Sequence, residues 1–157
     1  MRADELPANR LCPIARSMTV LGQKWTLLLL REAFYGRTRF AEFSRIGIPS
    51  DVLADRLERL VNAGLLQRQP YREGRGRQRE EYHLTPAGRD VLPVLAALSA
   101  WGNAHLPIRE GSGVVYAREP DGEELELHFV DRAGHVVADS EVAMRRGPAY
   151  HEFVSGQ

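Results

Sequence analysis

The 157-residue sequence predicts an α+β fold: helices leading into a β-hairpin, then a small β-rich tail. Three observations predict it. A helix-like run from Val52 to Val61 stops at Ala63-Gly64. Two strand-like runs follow, Leu65 to Tyr71 and Glu80 to Leu84, joined by Arg72-Glu73-Gly74-Arg75-Gly76-Arg77-Gln78-Arg79. Leu125, Leu127 and Phe129 alternate with polar residues, the two-residue period of a strand. A helix followed by a hairpin with an Arg- and Gly-rich tip is the layout of a winged helix-turn-helix. Such a helix fits a DNA major groove, and the tip can reach phosphates or the adjacent minor groove.

In chain order, residues 1–11 read as a loose arm. Pro13 to Leu21 reads as a short helix: proline suits its first position, Ile14, Met18 and Leu21 share a face, and Gly22 ends it. Lys24 to Tyr35 is a second helix, rich in leucine, with Trp25 expected in the core and Gly36 as its stop. Arg39 to Ser44 is a third with Phe40 and Phe43 inward, and Arg45 to Pro49 is a tight turn. The fourth runs from about Ser50 to Ala63, with Ser50 as cap and Pro49 as opening residue both open. A long helix is expected over Pro86 to Leu106, capped by Thr85, with Val91, Leu95, Leu98, Trp101 and His105 on one stripe. Pro93 is expected to cost it one hydrogen bond and to kink it. After a linker at Pro107 to Gly113, Asp121-Gly122 and Ala133-Gly134 are turn signals in a small β-meander. The expected organisation is an arm over 1–11, a DNA-binding domain over 12–107 and a β-rich extension over 113–157.

The chain is 43% hydrophobic and 27% charged, an ordinary soluble profile. Its longest strongly apolar run, Leu27 to Leu30, is far too short to span a membrane, and no apolar leader opens the chain. The expected location is the cytoplasm. One cysteine, Cys12, allows neither an internal disulfide nor an all-cysteine zinc site. Net charge is zero but uneven: residues 1–111 hold 17 basic and 12 acidic residues, and residues 112–157 hold 4 and 9. A basic body with an acidic tail suits a polyanionic partner for the body.

Cys12-Pro13-Ile14, Gly22-Gln23-Lys24-Trp25-Thr26, Leu53-Ala54-Asp55-Arg56-Leu57, Ala63-Gly64-Leu65-Leu66, Tyr82-His83-Leu84-Thr85-Pro86-Ala87-Gly88 and Trp101-Gly102 come in the order and spacing of one family. Over about residues 10–107 the chain resembles the HxlR-type transcriptional regulators. The resemblance implies a winged helix-turn-helix, a homodimer joined by N- and C-terminal helices, and bacterial transcription control. It also implies, as in some members, an N-terminal cysteine that senses oxidants or electrophiles. The sequence departs from the family pattern in a longer, Gly-rich wing and in Asp51 near the start of the recognition helix.

The candidate DNA contacts are Arg39, Ser50, Asp51, Arg56, Arg59, Arg75, Arg77 and Arg79. With Leu53, Leu57 and Leu60 inward, Ser50, Asp51, Ala54, Asp55, Glu58, Arg59 and Asn62 face outward, and the N-terminal part of such a helix reads bases. Asp51 would repel a phosphate yet can accept from a cytosine amine. An Asp55–Arg59 ion pair, a packed Arg56 stem and a salt-bridged Arg39 are the plainer alternatives. Cys12, at a helix start, is the candidate sensor, against a plain packing role. His83, His105, His128, His135 and His151 form no metal-ligand pair, and no catalytic motif or cofactor loop is present. The expected function is a homodimeric regulator, a repressor on a pseudo-palindromic operator in double-stranded DNA. An oxidant or small-molecule effector would act on it. The alternative is a winged-helix module for protein–protein interaction.

Overall fold

The computed structural model describes residues 7–72, 74, 76–148 and 150. The chain divides into two units, at Leu92–Pro93. The first opens with α1 (Pro7–Arg10), one helical turn inside the segment expected to be a loose arm. Next come α2 (Pro13–Leu21) and α3 (Lys24–Phe34). Then α4 (Phe40–Phe43) runs into a 3₁₀ turn, Ser44–Ile46. Gly47, at φ 79°, ends that turn in the left-handed region that glycine adopts without penalty. Pro49 caps α5 (Ser50–Asn62), so Ser50 is its first helical residue. β1 (Leu66–Tyr71) and β2 (Arg79–Leu84) pair antiparallel, with Leu66 opposite Leu84 and Tyr71 opposite Arg79. An isolated bridge from Arg39 to Glu81, with Tyr82 N–H donating to the Thr38 carbonyl at 2.7 Å, ties the start of α4 to β2.

The core of this unit comes from the apolar stripes read in the sequence. Leu29 and Leu30 of α3, Phe43 of α4 and Leu53, Leu57 and Leu60 of α5 are withdrawn from water, with Leu66 and Leu84 beneath the sheet. Burying each such side chain contributes about 1.5–3 kcal/mol. Phe43 meets Tyr82 edge-on, with ring centroids 6.4 Å apart. Two aromatic expectations are corrected: Phe40 faces outward and Trp25 is only half-buried. α4 is a single turn and presents only one of its two phenylalanines inward; Trp25 instead lies beneath the Lys24 ammonium, 4.9 Å from its ring centre.

Thr85 ties the hairpin to α5. Its hydroxyl donates to the Gly64 carbonyl at 2.5 Å and accepts from Gly88 N–H at 3.0 Å, capping α6 (Pro86–Arg89). Gly88 is required for a different reason than a turn glycine: a Cβ there would stand 2.1 Å from the Leu65 carbonyl oxygen.

The single long helix expected from Pro86 is corrected to two, α6 and α7 (Leu92–His105). Pro93 supplies the reason. It has no N–H to give, and its ring would clash with the Arg89 carbonyl in a continuous helix. In the second unit, Ser99 and Tyr116 hydroxyls meet at 3.1 Å. Both expected turns form. Gly122 N–H bonds the Arg118 carbonyl at 2.8 Å, and Gly134 N–H bonds the Asp131 carbonyl at 3.1 Å. The strands around them are much shorter than the alternation predicted: β3 (Phe129–Val130) and β4 (Val136–Val137) have two residues each, and Ala117–Glu124 is a lone bridge. Leu125 and Leu127 lie outside any strand and, with Phe129, are exposed, as are the polar residues between them; small hairpins lacking a covered apolar face stay marginal.

Candidate nucleic-acid interface

The helix-turn-helix is α4, the Ser44–Pro49 turn and α5, and it presents one face of α5 to solvent. Its hydrophobic seam points inward, so Ser50, Asp51, Ala54, Asp55, Glu58, Arg59 and Asn62 are exposed, as the sequence predicted. Ser50 and Asp51 occupy the first turn, the part of a recognition helix that contacts base edges.

The charges on that face are already engaged with each other. Arg59 donates to both Asp55 carboxylate oxygens, at 2.9 and 3.0 Å. Arg56 pairs with Asp55 at 3.1 Å, its side chain is only 18% exposed, and its Nε is buried without a hydrogen bond among the described residues. Glu58 holds Arg68 of β1 at 2.9 Å, and this carboxylate raises the Arg68 guanidinium's affinity for its proton. An exposed pair such as Asp55–Arg59 contributes about 0.3–0.5 kcal/mol, little enough for Arg59 to exchange partners at a phosphate. Arg56 is held more tightly, since its stem is covered.

With three acids against two arginines, α5 does not itself attract a polyanion. The positive charge lies at its flanks. Arg72 and Arg77 on the hairpin tip and Arg79 at the start of β2 are exposed and form no ion pair among the described residues; Arg75 lies outside those residues. Arg45, in the turn before α5, is also exposed and without an ion pair among them. The sequence reading missed Arg45, although an arginine beside the recognition-helix cap was a usable signal.

Arg39 is placed where the wing meets α4, not at a free helix end. Its Nε donates to Glu81 at 3.0 Å, and its guanidinium lies 4.6 Å from the Tyr71 ring centre. The Arg39 bond, supported by His83 Nε2 at 3.3 Å, holds the Glu81 carboxyl below the usual glutamate range. Glu42 accepts from Thr38 N–H at 2.9 Å and Arg39 N–H at 3.0 Å, and these two donors hold its carboxyl below the ordinary value. Thr38, Arg39, Glu42 and Glu81 therefore join the start of the helix-turn-helix to the wing.

Cys12 caps α2, half-buried; its N–H bonds the Asn9 carbonyl at 2.9 Å and its carbonyl accepts from Arg16 N–H at 3.1 Å. Among the described residues, histidines and acids form no group able to hold a metal ion, and no helix is long and apolar enough to cross a membrane.

Comparison with known proteins agrees with this geometry. The HxlR-like helix-turn-helix family model matches residues 20–110. An HTH-type transcriptional regulator of Mycobacterium tuberculosis (strain H37Rv) is 36% identical over 139 residues, covering 87% of each chain. Among solved structures, PA1607, described as a candidate transcription factor, superposes with a TM-score of 0.74. It is 32% identical over 87% of this chain and 96% of its own. The redox regulator HypR in its reduced form is 31% identical, with a TM-score of 0.53 over 60% of this chain and 95% of that one.

Proposed function

The chain belongs to the HxlR-like helix-turn-helix family of transcriptional regulators, DNA-binding proteins and not enzymes, and from that premise we propose how it engages DNA. It acts as a homodimer on an inverted-repeat operator and represses by covering a promoter, in the cytoplasm where bacterial DNA lies. Ser50 and Asp51 read base edges. Arg77 and Arg79, with Arg75, hold phosphates, and Arg59 joins them by leaving Asp55. Arg56 supports α5 from its side, and Arg39 braces the wing. One observation carries this reading: the first turn of α5 is exposed, and Arg72, Arg77 and Arg79 of the hairpin are exposed and form no ion pair among the described residues. Selection from a random pool of duplexes tests it. Enrichment of an inverted repeat with half-sites roughly 10 base pairs apart, or a multiple, is expected. Enrichment of no sequence would contradict it.

The dimer rests on two apolar faces. Ile14 and Met18 of α2, and Leu98 and Trp101 of α7, are each about half exposed. Trp101→Glu is expected to yield a folded monomer by light scattering. A dimer unchanged by it would remove α7 from the contact.

A second reading adds oxidant sensing through Cys12. It draws on the half-buried thiol at the start of α2 and on the similarity to HypR, a redox regulator. With one cysteine, the reversible products are a sulfenic acid, a mixed disulfide or a Cys12–Cys12 bond between subunits. Diamide should weaken operator binding by the wild type and leave Cys12→Ser unaffected. Equal affinities throughout return Cys12 to packing.

A further inference from the structure

An open groove of about 580 Å³ lies between α4 and the two wing strands. That volume falls in the range of small-molecule sites. Phe40, Tyr71 and Tyr82 form its aromatic surface, and Arg39, Arg45 and Arg79 line it. Its acids have partners of their own. Glu42 accepts from the backbone N–H groups of Thr38 and Arg39, and Glu80 pairs with Arg68 at 3.2 Å. Arg39 answers Glu81. Arg45 and Arg79 form no ion pair among the described residues, which leaves two uncompensated guanidinium groups beside aromatic rings.

Phe40 adds an independent observation. It is 36% exposed on a helix whose other phenylalanine is fully buried, so a large apolar ring is left at the groove wall. A phosphodiester would satisfy the two arginines but would leave Phe40, and the face of Tyr71 that Arg39 does not cover, in water. A flat ring bearing one carboxylate meets both demands. Guanidinium recognises carboxylate through paired hydrogen bonds, and rings pack on rings at centroid distances of about 4.5–7 Å.

We propose that this groove binds a small planar aromatic carboxylate, its charge between Arg45 and Arg79 and its ring against Phe40 and Tyr71. The ligand would touch the helix-turn-helix and the wing together and would occupy Arg79. It would therefore compete with DNA for that side chain; this coupling rests on the DNA reading above, whereas the binding itself does not.

Isothermal titration of the full chain, without DNA, tests the binding, with benzoate, acetate and inorganic phosphate as probes at fixed ionic strength. Benzoate is expected to saturate and to bind about tenfold more tightly than acetate or phosphate, the gain of one ring stack with its burial. Arg45→Gln and Phe40→Ala should each weaken benzoate about fivefold, and both side chains are exposed enough for the fold to persist, checked by thermal melting. Arg45→Lys, which keeps charge but loses the fork, should weaken it too. No saturable benzoate binding overturns the proposal. So does equal affinity for phosphate and benzoate with Phe40→Ala unchanged, which would make the groove a phosphate contact. Benzoate that binds but leaves duplex affinity unaltered overturns the coupling alone.

Discussion

Leu29, Leu53 and Leu57 in the first unit are wholly withdrawn from water, whereas Leu98, Trp101 and Leu106 in the second are about half exposed or more. Both sets sit on leucine-rich helices, although α3 and α5 separate apolar from polar faces far more sharply than α7 does. The difference lies in what covers them. The first unit closes its apolar stripes with its own strands, through the Thr85 bonds to Gly64 and Leu65. The second has a helix and two short hairpins, and most of their large apolar side chains, Leu95 excepted, are exposed. The first unit therefore closes its core with its own elements, whereas the exposed apolar faces of the second are the ones proposed above to meet a second copy.

The largest test of that contrast is a pair of truncations. Leu57→Ala should cost about 2–5 kcal/mol, the range for a core leucine that leaves a cavity. Leu98→Ala should cost under about 1 kcal/mol in the monomer, while making the melting temperature depend more on protein concentration. Chemical denaturation at two concentrations separates these. Equal losses would erase the distinction between the units.

Gly88→Ala comes next. The added methyl would meet a backbone oxygen, not a movable side chain, so a loss of about 1–3 kcal/mol is expected. Denaturation midpoints check it; an unchanged midpoint would mean that α6 can shift away from Leu65 freely.

A smaller effect follows from Glu42. Its folded-state carboxyl titrates below the ordinary value of 4.5, because Thr38 and Arg39 N–H groups bond the charged form. A depressed carboxylate stabilises the fold above the unfolded-state value, and that contribution disappears as pH falls through the folded value. Glu42→Gln should therefore lower stability at neutral pH and converge with the wild type in acid. Parallel stability curves across that range would remove Glu42 from the joint between α4 and the wing.

Much of this was legible in the residues. The bounds of α2 follow from Pro13 and Gly22, and the inward face of α5 from its leucine spacing. The hairpin follows from two strand-like runs around an Arg–Gly tip. What was not legible depended on three dimensions. Pro93 was read as a kink because sequence spacing cannot show whether the helix re-forms around its ring. Arg59 was read as a DNA contact with an Asp55–Arg59 ion pair as the alternative, and that pair forms; the pairing of Arg56 with the same carboxylate was not read, because it is set by local geometry and not by residue type. The groove lined by Arg45 was invisible because Tyr71 meets Arg79 only through the register of β1 on β2, and Phe40 reaches them only through the Arg39–Glu81 bridge. The tail alternates in sequence, but alternation cannot say whether a covering surface exists.

In the interface proposed above, α5, net acidic on its own, depends on the wing for phosphate attraction. The direct measurement is duplex affinity against salt concentration, for the wild type, Arg77→Ala and Asp51→Asn. If the claim holds, Arg77→Ala weakens binding to all duplexes and flattens the slope of log K against log salt by about one unit. Asp51→Asn should change sequence preference and leave the slope nearly unaltered. An unchanged slope in Arg77→Ala, with full affinity, would contradict the claim.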